Sequence, residues 1–185
     1  MNLPASLSGF DAAYSFEATP HAPDKTAVFR QIFNAIKPGN CFAGYEWCLT
    51  DRYDDRNPDH RRLKSGIEIG NGLPDLATFG DVIGGLKAAG FEVLETHDAA
   101  NESDPDMPWY RALEGRDLTP GSIPRTPLGR AITNAALRTF ETLHVAPAGT
   151  TQVSALLNRV ADELIESGKR GVFTPIFFFH ARRPL

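Results

Sequence analysis

From Phe10 to Asp51 the chain spells a strand (within GFDAAYSFEAT), an acid- and His-bearing loop from Glu17 to Asp24, a helix, and a second strand ending in Tyr45-Glu46-Trp47. A strand, a right-handed crossover helix and a parallel strand are the building unit of an α/β sheet. Such sheets bind ligands beyond the carboxyl ends of their strands. Those ends here carry Glu17, His21, Tyr45, Glu46 and Trp47. Carboxylates, an imidazole and aromatic faces together suit a reaction that passes through positive charge in an apolar pocket.

Within this unit, Tyr14, Ser15 and Phe16 continue an apolar run, which predicts a strand covered on both faces. Pro20 and Pro23 stop it, and Asp24 can cap the next helix by accepting from first-turn N–H groups. Val28, Ile32 and Ile36 then recur at helical spacing, with Phe29 and Phe33 alongside. Lys37-Pro38-Gly39 is expected to end the helix, and Asn40 to Leu49 to be the second strand.

Asp51 to Leu73 is polar and turn-rich, with room for a short helix around Arg61 to Ile69. Phe79, Val82, Ile83, Leu86 and Ala89 follow helical spacing and Gly90 suits the cap, after which Phe91 to Thr96 reads as a third strand. Asp98 to Thr126 reads as a long loop or lid around Trp109-Tyr110. Two amphipathic helices follow. One aligns Ile132, Ala136, Phe140 and Leu143; the other aligns Val153, Leu156, Leu157, Val160 and Leu164 and is expected to end at Gly168. Gly171 to Ala181 reads as a final Phe-rich strand. Helices alternating with strands argue for an α/β fold, with no internal repeat and no second domain.

With 185 residues the chain is long enough for one domain with its own core. Its net charge of -4 gives no basic footprint for nucleic acid, and the mixed charges from Arg52 to Lys64 suit a solvated loop. No apolar run approaches the ~20 residues a bilayer span needs. The first ten residues lack the pattern of a signal peptide. The expected compartment is therefore the cytosol or a cytosolic membrane face. Cys41 and Cys48 fall in one strand and are expected as reduced thiols. The five scattered histidines have no metal-ligand spacing, so no metal is expected.

Each candidate group has an ordinary alternative. Glu17 and His21, four residues apart, are an acid/base pair at a pocket mouth or an exposed carboxylate and imidazole. Alternation puts Tyr45 and Trp47 on one face of their strand and Glu46 on the other. The three are site residues or sheet packing, although a carboxylate between large aromatics is costly unless paired. Trp109 and Tyr110 could close over an apolar ligand or bury on the protein surface. A nucleotide cofactor in an α/β sheet needs a glycine-rich loop, and Gly70-Asn71-Gly72, the only G-x-G, reads as a turn. No P-loop or G-x-S-x-G elbow is present.

These residues carry a resemblance. Glu17-Ala18-Thr19-Pro20-His21-Ala22-Pro23 resembles the Glu-Ala-Thr-Cys-His-Ala-Pro segment of sterol 24-C-methyltransferases. Tyr45-Glu46-Trp47-Cys48-Leu49-Thr50-Asp51, the Gly66 to Leu76 run, Pro108-Trp109-Tyr110, Leu128-Gly129-Arg130 and Val172-Phe173-Thr174-Pro175 are similar to family segments in the same order. Pro20 stands where the family has Cys, which argues against an essential thiol there. The resemblance is to the second half of the family pattern. The first half carries the glycine-rich S-adenosylmethionine loop, so the isolated chain is expected to be an inactive fragment that does not hold the cofactor, whether from a truncated gene model, a split gene or a degenerate paralogue.

The fold implied is α/β, a partial class I (Rossmann-like) methyltransferase sheet. It would hold strands four to seven, with a helical insertion before the last, antiparallel strand. Residues 1–97 would form the strand-helix-strand-helix-strand core, 98–170 the loop and helical region, and 171–185 the final strand. The activity implied is transfer of a methyl group from S-adenosylmethionine to C24 of a sterol side chain. Glu17, His21 and Glu46 are then the catalytic candidates, with His21 or Glu17 as base and Glu46 as anchor for the sterol 3-hydroxyl or as electrostatic partner. Tyr45, Trp47, Trp109 and Tyr110 would bind substrate, and Glu17 and Ala18 the cofactor. The resemblance also implies a separate N-terminal half or a homo-oligomer as partner, and attachment to the endoplasmic reticulum membrane. The alternative is a non-catalytic sterol- or lipid-binding module that depends on a partner.

Overall fold

The computed structural model describes residues 3–4, 6–100, 102, 104–116 and 119–185; parts of the expected 98–126 loop, at 101, 103, 117 and 118, lie outside them. Strand β1 (Phe10–Phe16) leads through a single 3-10 turn at Thr19–His21 into helix α1 (Lys25–Ala35). The Asp24 side chain caps α1 by accepting from the Ala27 N–H. Strand β2 (Ile36–Leu49) begins at once and pairs parallel with β1. The expected break at Lys37-Pro38-Gly39 is therefore a bulge inside the strand. Gly39 takes φ +83°, and the register slips between the Phe10–Ile36 and Ala12–Cys41 pairs.

Beyond β2 the chain makes an excursion. Helix α2 (Pro58–Asn71) is longer than the sequence suggested, and the two-residue strand β3 (Ala77–Thr78) returns to pair parallel with Cys48 and Leu49. The loop before α2 and the return after it thus both meet β2 at its carboxyl end. Helix α3 (Phe79–Ala89) starts with a reciprocal Thr78–Asp81 capping box. Strand β4 (Glu92–Asp98), two further 3-10 turns, helices α4 (Pro127–Thr142) and α5 (Thr150–Arg170), and strand β5 (Phe173–Arg182) complete the order. The four long strands run β1-β2-β5-β4, with β5 antiparallel to both neighbours.

Two clusters hold this together. On one face of the sheet, Phe42, Cys48, Phe177, Phe179 and Ala181 pack against Phe29 of α1 and Val82 and Leu86 of α3. The α1 stripe therefore centres on Phe29, while Val28 and Ile32 are only half-buried. At the carboxyl end of β2, Leu49, Ile67, Leu73, Leu76 and Phe173 bind the α2 and α5 layer to the sheet, with Trp47, Tyr53, Trp109 and Leu164 around them.

The opposite sheet face differs from the expectation of two-sided cover. Tyr14 is 77% exposed and Phe16 is also exposed. Phe16 stacks on Tyr45 at 5.3 Å, Tyr45 meets Phe178 at 5.7 Å, and His97 meets Phe178 at 4.9 Å. This aromatic row crosses all four long strands, because α1 and α3 both pack on the other side.

Helix α5 runs to Arg170 rather than stopping at Gly168. Gly168 is there for space: a Cβ would run into the rings of Tyr110 and Trp109. The predicted apolar face of α4 is open, with Ile132, Ala136, Phe140 and Leu143 exposed. Both cysteines are free. No helix of the described residues is long and apolar enough to cross a membrane.

Candidate active site

Parallel pairing of Phe16 with Tyr45 brings the ends of β1 and β2 level. Glu17 and His21 emerge from one strand end, and Trp47 from the other. Glu17, Pro20, His21, Trp47, Asn71 and Leu73 line one hollow of about 220 Å³. Asn71 and Leu73 come from the end of α2, so the excursion after β2 supplies one wall.

Glu17 adopts φ +53°. A non-glycine residue in the left-handed region costs about 1–2 kcal/mol, and such strain gathers where backbone must aim a group. Here it falls where the chain leaves β1, at a residue that lines the hollow. Trp47 sits edge-on to Phe173 at 5.5 Å. Its buried indole Nε1–H has no acceptor among the described residues, and an unmet buried donor costs about 1–3 kcal/mol.

Glu46 lies on the other side of the sheet, fully buried, and does not line the hollow. Its carboxylate accepts from the Thr19 hydroxyl and from Lys25 Nζ at 3.1 Å. The same Nζ donates to the Thr19 carbonyl at 3.1 Å. Burial raises the Glu46 pKa, and the Lys25 charge and the Thr19 hydrogen bond only partly oppose it. The group fastens the Thr19–His21 turn from beneath.

The remaining candidates are dispersed. Tyr45 belongs to the open sheet face. Trp109 meets Phe173 at 5.8 Å and Tyr110 at 5.6 Å, and both rings pack against α5. Ala18 lines a neighbouring groove of about 430 Å³ between β1 and α1, and His21 borders both that groove and the hollow. Sequence reasoning missed Asn71, Leu73, Thr19 and Lys25. The Asn71-Gly72 turn was visible, but not that α2 ends over β1 and β2.

The family description "Sterol methyltransferase C-terminal" matches residues 122–185. The whole chain is 43% identical to cycloartenol-C-24-methyltransferase 1 of Oryza sativa subsp. japonica, of which it covers 53%. It is 40% identical to the sterol 24-C-methyltransferase of Saccharomyces cerevisiae, covering 50%. The chain is thus similar along its whole length to sterol 24-C-methyltransferases. It spans about half the length of these curated relatives.

Among solved structures, cyclopropane synthase MmaA2 from Mycobacterium tuberculosis superposes with TM-score 0.62 at 11% identity, over 95% of this chain and 56% of that one. Geranyl diphosphate C-methyltransferase from Streptomyces coelicolor A3(2), solved with Mg2+, geranyl diphosphate and S-adenosyl-L-homocysteine, gives TM-score 0.59 at 13% identity, over 94% and 47%. The α/β fold of this chain is therefore shared with about half of each of these two solved proteins.

Proposed function

We propose that this chain is the substrate-facing half of a sterol 24-C-methyltransferase, and that methyl transfer takes place at the hollow between β1, β2 and α2. The single observation carrying this is that Glu17, His21 and Trp47, from separate parts of the sequence, line one hollow beyond two parallel strand ends.

The residues present fit one part of S-adenosylmethionine. A carboxylate at Glu17, beside the groove lined by Ala18, suits a positively charged sulfonium. When bound, S-adenosylmethionine supplies an electrophilic methyl group. The only G-x-G of this chain caps α2, so it is a helix-ending turn and not a glycine-rich cofactor loop.

The side-chain alkene of the sterol would take that methyl group as its bond to sulfur breaks, leaving S-adenosylhomocysteine as a neutral thioether and the positive charge on a tertiary carbon of the substrate. The Trp47 ring face stabilises that charge by about 0.5–2 kcal/mol. A hydride shift follows, and His21 or Glu17 removes the proton that restores an alkene. The hollow holds the flexible side chain in line and keeps water from the cation. Glu46 and Lys25 act as positioning residues by holding the turn that carries His21.

The test is a hybrid enzyme in which this chain follows the first half of the Saccharomyces cerevisiae relative. Given a sterol with a side-chain double bond and S-adenosylmethionine, it should yield a product one CH2 heavier by mass spectrometry. A folded, cofactor-binding hybrid that leaves the sterol unchanged contradicts the proposal.

A further inference from the structure

Helix α5 packs on α2 in antiparallel fashion. Arg170 pairs with Asp59 at 3.3 Å, and Arg62 with Glu166 and Glu163 at 2.9 and 2.6 Å. A Cβ on Gly66 would meet Glu163, and one on Gly70 would meet Val160. Helix α2 then ends at Asn71, in the wall of the hollow, and α5 continues past it.

The apolar stripe of α5 continues as well. Val153, Leu157, Val160 and Leu164 recur on one helical side, with Leu156 beside them. Val160 is buried against α2 and Leu164 packs at the second core cluster. Val153 and Leu157, on the same side, are 56% and 59% exposed. Ile69, at the end of α2, is exposed too. A face built to pack thus extends about 10 Å beyond its own packing partner, at a rise of about 1.5 Å per residue. That is close to the length of a fused tetracyclic ring system, and the ledge starts where the hollow's wall ends.

We infer that the first half of α5, at Val153, Leu156 and Leu157 with Ile69, is the surface on which the ring system of the sterol lies while its side chain enters the hollow. This rests on the proposed function and assigns the substrate a second site, which none of the aromatic candidates provides. Flat ring faces match an aliphatic ledge, and continuity with the α2–α5 packing sets the direction of approach.

The test uses the hybrid enzyme, which contains the full chain, and two photoactivatable sterols delivered from cyclodextrin, one with a diazirine on the rings and one with it on the side chain. Labelled peptides are mapped by mass spectrometry. The ring probe should label the Val153–Val160 peptide, and the side-chain probe the peptides holding His21 or Trp47. Val153→Glu and Leu157→Glu, at exposed positions, should leave the circular dichroism unchanged and raise the half-saturating concentration of the ring probe about tenfold.

Ring labelling elsewhere, with side-chain labelling still at the hollow, overturns the ledge and leaves the proposed function standing. Ring labelling on α5 with no side-chain label at the hollow supports the ledge and overturns the reaction site. No saturable labelling by either probe overturns both. Equal labelling of α5 by a photoactivatable phospholipid in vesicles, or a dimer that Leu157→Glu dissolves, overturns the ledge in favour of a bilayer or a second copy.

Discussion

Glu46 and Lys25 form a buried ion pair, Nζ to Oε2 at 3.1 Å, with the carboxylate fully buried and the lysine side chain 12% exposed. Its position beneath the Thr19–His21 turn ties the core to the site. Removing one partner should be much worse than removing both, because it strands a buried charge. Lys25→Met should cost about 3–5 kcal/mol by urea unfolding, and Lys25→Met with Glu46→Leu distinctly less. Equal losses from the single and double variants would show the pair to be uncoupled.

The same carboxylate predicts a pH effect. Burial, the largest influence, raises the Glu46 pKa above its ordinary 4.5. Below the ordinary value Glu46 is protonated in both the folded and unfolded states. As pH rises through the folded pKa the unfolded state ionises first, so the folded protein loses stability. Glu46→Gln keeps an acceptor for Thr19 and cannot titrate. Wild-type stability relative to Glu46→Gln should therefore fall as pH rises above the ordinary carboxylate value of 4.5, read as the difference in urea midpoints. A flat difference would contradict this.

Glu17 trades stability for position. Glycine accepts φ +53° without strain. Glu17→Gly should therefore hold stability within, or raise it by, about 1 kcal/mol, while Glu17→Ala gains nothing and both slow the hybrid enzyme. Thermal melts of the three proteins check the first part, and turnover checks the second.

Gly168 marks the closest approach of α5 to Trp109 and Tyr110. Gly168→Leu should cost about 1–3 kcal/mol by overpacking and shift tryptophan emission to the red as Trp109 opens to water. An unchanged melt would mean that the two rings do not pin the helix.

Much of this was legible from local chemistry. Asp24 caps α1, Gly90 caps α3, and the strand-helix-strand unit lies where apolar spacing put it. Glu17, His21 and Trp47 were visible as site candidates because parallel strands place their carboxyl ends together. What was hidden depends on tertiary placement. Pro38-Gly39 spells a helix stop but builds a bulge, because β1 pairs across it. Gly168 spells a helix end but serves a close approach of rings. Glu46, Thr19 and Lys25 meet across 27 residues or fewer, yet no spacing rule announces that a loop threonine and a first-turn lysine will share one buried carboxylate.

The most direct measurement is turnover of the hybrid enzyme carrying Glu17→Gln together with His21→Ala, both at exposed positions of the hollow. With both proton-accepting groups removed and the fold intact by circular dichroism, sterol methylation should drop at least about 100-fold. Turnover equal to that of the unmodified hybrid would contradict the placement of the chemistry between β1, β2 and α2.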